Sequence, residues 1–312
     1  MTKGIAYILI ATLSFAVMTI VVKDLSNLPA LQVVFFRAFG TFLFIFPYMV
    51  YHKISIIGHQ PKFLFLRGFV GVISLTTFFI AIQRIPLGSA ISIRYLGPIF
   101  GAMLAAYFLK ERINKGQWLS FAVAFSGVIV LKGFDLRIDF ISLGLTLISA
   151  ITIGVVFVLI RFLATREHYL TIINYFMVIS MMVGLASFPL WQMPVGIEWI
   201  SLLSIGVLGL IGQVFMTRAF QLEETSVLAP FKYMELIYAL ILGYFIFNET
   251  YRLIALGGIL LILIGMMSNI FLKDKKVQKV YSREEINPTI APSPSTTKSQ
   301  LPGTNPPIQV NN

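Results

Sequence analysis

Ten runs of apolar residues, each near the roughly 20 needed to cross a bilayer as a helix, follow one another along the chain at 5–22, 33–51, 64–82, 87–108, 116–132, 140–160, 171–190, 199–220, 226–247 and 253–272. The polar stretches between them are short and carry most of the charge. Pro29, Pro61, Pro86 and Pro194 stand at or near their borders, where proline punctuates helices. The first run follows a single lysine, Lys3. It is long for the apolar stretch of a signal peptide and no small-residue cleavage site follows it, so it reads as a retained anchor. The pattern predicts an all-α integral membrane bundle of ten transmembrane helices with little mass outside the bilayer.

The pattern also repeats. Moved 138 places against itself, the chain sets Gly68 and Gly71 on Gly206 and Gly209, Ala81 and Gln83 on Ala219 and Gln221, and Arg94-Tyr95 on Lys232-Tyr233. Glu111 falls on Glu249, Gly127 on Gly265 and Lys23 on Arg161, without a gap. A fixed offset across so many positions marks a duplication, with spans one to five in 3–132 and spans six to ten in 140–273. Each copy holds an odd number of spans, so the second must enter the membrane from the opposite side. The expected architecture is two inverted five-helix repeats.

Composition changes the picture in one respect: it names the solvent. Of 312 residues 57% are hydrophobic and 12% charged, against roughly 25% charged in soluble domains, so the lipid bilayer takes the place of water. The net charge of +11 does not point to nucleic acid, because the cations sit in short loops and the C-terminal tail. On one side fall Lys3, Lys53, Lys62, Lys110, Arg112, Lys115, Arg161, Arg166 and the cluster Lys273, Lys275, Lys276, Lys279 and Arg283. On the other fall Lys23, Arg84, Lys132, Arg137 and Arg252. Positive charge favours the cytoplasmic side, which places both termini there. Within 274–312 the composition turns to Ser, Thr, Asn and the prolines 288, 292, 294, 302, 306 and 307, which cannot bury a core and predict a disordered cytoplasmic tail. There are no cysteines, hence no thiol nucleophile, disulfide or thiolate metal site. Small-residue faces leave room for a homodimer, though no motif requires one.

Candidate chemistry lies in the charges inside spans, since a charge near the bilayer centre costs about 2.5–3.5 kcal/mol on an insertion scale. Arg94 in the fourth span and Lys232 and Glu235 in the ninth stand deepest. Arg94 and Lys232 are repeat equivalents, so an inverted-repeat axis brings both near the midplane, where carriers of this build hold their cargo. Lys232 and Glu235, three residues apart, share a helical face, and Tyr95 and Tyr233 add rings and hydroxyls. These five are the expected substrate-binding residues; a structural ion pair is the competing reading. Glu235, the sole acid deep in a span, is also the one candidate for a carboxylate proton carrier. Arg37, Tyr175 and Arg218 are further candidates to line a cavity, with Arg37 and Arg218 equally able to reach an interface, and Arg67 is expected to snorkel out. Gly68, Gly71, Gly206, Gly209 and Gly212 read as close helix contacts, and Pro98 and Pro230 as kinks. Gln83 and Gln221 at span ends read as solvated.

The run Ala229-Pro230-Phe231-Lys232-Tyr233-Met234-Glu235-Leu236, followed by Gly243-Tyr244-Phe245-Ile246-Phe247-Asn248-Glu249, resembles the drug/metabolite transporter superfamily, EamA type. The first copy carries a weaker version in Arg94-Tyr95-Leu96-Gly97-Pro98 and Tyr107-Phe108-Leu109-Lys110-Glu111. The resemblance covers roughly 3–273. It implies a ten-span carrier with both termini cytoplasmic in a bacterial inner membrane, and spans four and nine lining a central cavity. It further implies that Arg94, Tyr95, Lys232, Tyr233 and Glu235 face the substrate path, while Glu111 and Glu249 cap or pair near helix ends. The ninth span is similar as well to S-adenosylmethionine uptake carriers.

The leading expectation is therefore a secondary transporter of a small, zwitterionic or amino-acid-like metabolite. Arg94 and Lys232 would hold an anionic group, Glu235 an amine and the tyrosines an apolar body. Nothing resembles an ATP-binding loop, and no cofactor or metal is implied. An integral-membrane enzyme acting on lipids would need clustered acids or histidines. His52, His59 and His168 are instead isolated at loops, and Glu223-Glu224 is a loop pair with no partner in the pattern. No residue is assigned a catalytic role. A channel is the third class, which saturable countertransport would set apart from a carrier.

Overall fold

The computed structural model describes residues 2–108, 113–163, 166–222, 228 and 231–286. Lys110, Glu111, Arg112, Glu223, Glu224, Pro230 and the proline-rich stretch 287–312 lie outside the described residues, as do the side chains of Arg161 and Gln221. The helices, in chain order, are α1 (Lys3–Asp24), α2 (Ala30–Tyr51), α3 (Pro61–Arg84), α4 (Leu87–Arg94), α5 (Gly97–Phe108) and α6 (Lys115–Phe134). There follow α7 (Phe140–Leu163), α8 (Tyr169–Ala186), α9 (Glu198–Leu222), α10 (Met234–Phe247) and α11 (Leu253–Ile286). Among the described residues there is no strand. Among these residues eight segments are long and apolar enough to cross a membrane: α1, α2, α3, Leu87–Leu104 across α4 and α5, α6, Phe140–Ile160 within α7, α8 and Glu198–Met216 within α9. Helix α10 and the Leu253–Asn269 part of α11 are apolar but shorter. The chain divides into a unit Met1–Lys273 and a unit Asp274–Asn312.

Local chemistry sets the helix ends. Asn114 opens α6 with a capping box, its side chain accepting from Gln117 N at 2.7 Å while the Gln117 side chain accepts from Asn114 N at 3.1 Å. Asp139 Oδ1 accepts from Ser142 N at 3.2 Å in the first turn of α7. Asn248 closes α10 in the left-handed conformation, φ 53°, which Asn tolerates better than most residues.

The fourth span is not continuous. It breaks at Tyr95-Leu96, because the residue four beyond Arg94 is Pro98, which has no N–H to return to the Arg94 carbonyl. The ninth span breaks at the equivalent place, Tyr233, and with the same backbone. Tyr95 has φ −65°, ψ −7° and Tyr233 φ −71°, ψ −8°. No proline stands four beyond Lys232; instead Leu236 N bonds to Tyr233 O at 3.0 Å, which leaves the Lys232 carbonyl without its helical donor.

The most extensive helix contacts come in pairs related by exchange of the two copies. Helix α1 packs on α9 and its equivalent α7 on α3; α2 packs on α9 and α8 on α3; α1 on α10 and α7 on α5. The pair α2–α8 joins equivalent helices directly, and α4 packs on α10. Small residues permit these approaches. A Cβ on Gly40 would lie 2.7 Å from the Gly206 Cα. One on Gly127 would lie 2.6 Å from the Gly258 carbonyl, and one on its equivalent Gly265 would lie 2.6 Å from the Ser120 carbonyl, so α6 and α11 touch along backbone.

Candidate functional site

The two helix breaks face each other. The rings of Tyr95 and Tyr233 meet edge-to-face with centroids 5.2 Å apart, and both residues are buried. Tyr95 Oη lies 3.1 Å from the Lys232 carbonyl, the one freed by the second break, and 3.3 Å from Glu235 Oε2. It has one proton to give and two acceptors within reach.

Around this pair runs a cavity lined by Phe78 of α3, Ile91 and Arg94 of α4, Tyr95, Pro98 of α5, Ile153 and Phe157 of α7, Lys232 and Glu235. The cations are held by aromatic faces. The Arg94 guanidinium sits 4.2 Å from the centroid of Phe78, and Lys232 Nζ 5.2 Å from that of Phe157. Arg94 Nε also donates to Ser149 Oγ at 3.3 Å, and Ser149 is itself fixed by reciprocal bonds with Ser74 at 2.8 and 3.0 Å. Among the described residues no ion pair within 4.0 Å joins Glu235 to either cation. The three charges therefore surround a space rather than close on one another, unlike a pair that glues helices.

The structure thus brings Arg94, Tyr95, Lys232 and Glu235 onto one cavity, with Tyr233 packed behind Tyr95. The three further candidates are placed elsewhere. Tyr175 turns its hydroxyl away, donating to the Ile57 carbonyl at 2.9 Å in the α2–α3 loop, and Arg218 is exposed on α9. Arg37 is buried, but against Phe176 of α8, 5.7 Å from its centroid. Arg67 does not snorkel. It is 5% exposed and lies 4.7 Å from the same ring, because α3 and α8 approach closely at Gly68 and Gly71 and cover it. Phe78, Ile91, Ile153 and Phe157 of the cavity wall, and Ser149 behind Arg94, did not stand out in the sequence. A serine in the middle of an apolar span was the available signal for Ser149; the others are apolar residues in apolar helices and carried none.

A second cluster closes one end of the bundle. Lys23 Nζ pairs with Glu249 Oε1 at 2.6 Å and donates to the Ile85 carbonyl at 2.6 Å. Glu249 accepts from Leu87 N at 3.0 Å, capping the first turn of α4 with a carboxylate. Tyr251 Oη donates to Glu249 at 3.2 Å and accepts from Gly88 N at 3.1 Å. Burial and then the Glu249 charge push the Tyr251 hydroxyl above its ordinary pKa, keeping it a donor. The expectation that Glu249 caps or pairs near a helix end matches this arrangement; its partner in the other copy, Glu111, is outside the described residues. Gln83 is not merely solvated: its side chain donates to the carbonyls of Leu25 and Leu28 at 3.1 and 3.3 Å, because the α1–α2 loop lies over the end of α3.

The model of the EamA-like transporter family matches this chain twice, at residues 2–132 and 140–271, starting points 138 residues apart. The pseudopaline exporter CntI of Pseudomonas aeruginosa is 32% identical over 274 residues, covering 85% of this chain and 95% of its own. Solute carrier family 35 member G1 of Mus musculus is 28% identical, over 84% of this chain and 76% of its own. The S-adenosylmethionine uptake transporter of Rickettsia prowazekii is 26% identical, over 79% of this chain and 85% of its own. A protein of known crystal structure superposes with a TM-score of 0.61 at 18% identity over 86% of this chain and 98% of that one, a likeness of fold.

Proposed function

The chain belongs to the EamA-like transporter family, a multi-pass membrane transporter of small molecules and not an enzyme. From that premise we propose that it is a secondary carrier of an amino-acid-like metabolite in the cytoplasmic membrane, working by alternating access between two inverted five-helix repeats. The packing that survives exchange of the two copies supports the inverted arrangement, and the distribution of lysine and arginine supports cytoplasmic termini.

One observation carries the reading: Arg94, Lys232 and Glu235 converge on a buried cavity at two equivalent helix breaks without closing into ion pairs. Buried charges left uncompensated are costly. A ligand bearing both signs supplies what is missing, with its carboxylate to Arg94 and Lys232, its ammonium to Glu235 and its apolar body against Tyr95 and Phe157. The cavity measures about 50 Å³, room for a few waters and well short of the roughly 300–1,000 Å³ of metabolite pockets. Cargo entry therefore requires the bundle to open, as a carrier does and a standing pore does not. A second reading, uptake of S-adenosylmethionine, draws on the Rickettsia relatives. Its sulfonium and ammonium would both look to Glu235.

The test is a thermal-stability screen of the detergent-purified carrier against amino acids, nucleosides, vitamins and S-adenosylmethionine, beside Arg94→Gln and Glu235→Gln. A ligand at 100 times its Kd stabilises the folded state by about 2.7 kcal/mol. The expected outcome is a compound that raises the melting temperature of the wild type and of neither folded variant. Variants that respond like the wild type would show these charges to be structural and remove the assignment.

A further inference from the structure

The interior holds more cations than the site described above uses. Arg37 of α2 and Arg67 of α3 are 4% and 5% exposed, and their guanidiniums approach the same ring, Phe176 of α8, at 5.7 and 4.7 Å. Nε and Nη1 of both are buried without a hydrogen-bond partner. Among the described residues no carboxylate lies within 4.0 Å of either. The charges that act on them are of their own sign: Arg94 on Arg37, and Arg37 on Arg67. Arg37 and Arg67 thus stand together on Phe176 between α2, α3 and α8, with Arg94 of the cavity as the further cation that Arg37 feels. Among the described residues, Arg37 and Arg67 are buried and Arg94 and Lys232 half-buried on the cavity, where Glu235 is the carboxylate of the lining.

Space around Arg37 and Arg67 is set by glycines at equivalent positions of the two copies. A Cβ on Gly209 would lie 3.4 Å from Arg37 Nε, and one on Gly71 would lie 3.0 Å from the Phe176 ring and 3.7 Å from Arg67 Nη1. A stacked ring satisfies part of a guanidinium's face but none of its N–H groups, which point in the guanidinium plane and match the oxygens of a carboxylate.

We propose that Arg37 and Arg67 are a second anion-binding subsite on the cargo path, so that the transported metabolite is an amino-acid-like compound with at least one acidic group beyond the carboxylate held by Arg94 and Lys232. This rests on the transporter reading above and narrows its substrate class from a simple zwitterion to a net anion carrying two or more carboxylates. Arg37 and Arg67 take the additional acid as the bundle opens, and the aromatic face of Phe176 holds their guanidiniums in place meanwhile.

The experiment measures melting temperature and equilibrium binding of the intact detergent-purified carrier with alanine, glutamate and γ-carboxyglutamate, which bear one, two and three carboxylates, and with inorganic phosphate. The proteins are the wild type, Arg37→Gln, Arg67→Gln and Arg94→Gln. The expected result is affinity rising about tenfold or more for each added carboxylate in the wild type. That increment disappears in Arg37→Gln and Arg67→Gln, which retain the alanine response, while Arg94→Gln loses all three. Equal affinity across the series would overturn the subsite and leave the zwitterion carrier standing. Failure of every compound, alanine included, would instead strike the central site. Phosphate stabilising as strongly as the tricarboxylate, and losing that effect in Arg37→Gln, would show a free-anion site and overturn the claim about cargo. Ligand-free Arg67→Gln supplies the remaining check: removal of an unpaired buried cation leaves its melting temperature level or raised, whereas a clear fall would show Arg67 to be a structural clamp on Phe176.

Discussion

Tyr95 joins the two copies through one proton. Its hydroxyl reaches the Lys232 carbonyl, which the break at Tyr233 has deprived of a donor, and Glu235 beside it. Tyr95→Phe should therefore leave a buried carbonyl unpaired and cost about 1–3 kcal/mol, read as a lowered melting temperature in detergent. Tyr233→Phe, which keeps the edge-to-face contact with Tyr95 and leaves the Lys232 carbonyl its donor, should lower the melting temperature less than Tyr95→Phe does. Equal losses in the two, each of which removes only a hydroxyl, would mean that the bond from Tyr95 to the Lys232 carbonyl contributes nothing special. The charged members of the site were legible in the sequence because bilayer physics makes a buried charge conspicuous, and the 138-residue offset showed that Arg94 and Lys232 share a depth. The same logic failed for Arg67, whose sequence position one turn inside a span fits snorkelling. What buries it is the face of α8, a contact between distant segments that residue spacing does not encode. Depth along a helix also says nothing about which side of it a residue occupies, so it did not show that the Tyr175 hydroxyl turns to the Ile57 carbonyl or that Arg218 is exposed.

At the scale of helices, the apolar runs anticipated an all-helical chain. Among the described residues eight segments are long and apolar enough to cross a membrane, against the ten expected. Pro98 gave a reason for the first break. The break at Tyr233 has no proline four residues past Lys232. A kink was expected at Pro230, which lies outside the described residues, and the break at Tyr233 follows from a local exchange of the Leu236 N–H to the Tyr233 carbonyl. Glycine placement was legible as close packing but not as to partner. The α6–α11 contact is the closest case to test, because a Cβ at Gly127 meets the Gly258 carbonyl at 2.6 Å and Ile262 N at 2.7 Å, backbone atoms that cannot swing aside. Gly127→Ala should cost about 1–3 kcal/mol as overpacking does, and Gly265→Ala, which meets the Ser120 carbonyl and Ala124 N in the same way, should cost a similar amount. Gly144→Ala in α7, with nothing within 4 Å of the added methyl, should be level or slightly stabilised, since alanine favours the helix by about 0.5–1 kcal/mol. Thermal unfolding of the three variants in one detergent checks the contrast. A destabilised Gly144→Ala alongside an unaffected Gly127→Ala would contradict this packing.

For the molecule as a whole, duplication predicts how the carrier changes state. Lys23 and Glu249 lock one end of the bundle, tying α1, the start of α4 and the α10–α11 turn through a 2.6 Å pair that also caps α4. Their equivalents 138 residues away are Arg161 and Glu111, again a cation and an acid. If the second copy is the first inverted, those two stand at the opposite end, and a carrier that exposes its cavity alternately can close only one of the two locks at a time. Weakening one lock then shifts the population toward opening at that end by the free energy lost, about tenfold for each 1.4 kcal/mol. The absence of cysteine from all 312 residues makes this measurable without background: a single cysteine replacing Ile91 in the cavity wall reports access to a membrane-impermeant thiol reagent. Glu249→Gln should raise its labelling rate from the outer face in intact spheroplasts, and Glu111→Gln should raise it from the cytoplasmic face in inverted vesicles, each by several-fold and each lowering the rate from the other side. Acceleration from the same face by both substitutions would mean that the two acids do not sit at opposite ends. The inverted repeat, and with it alternating access through these helices, would then have to be abandoned.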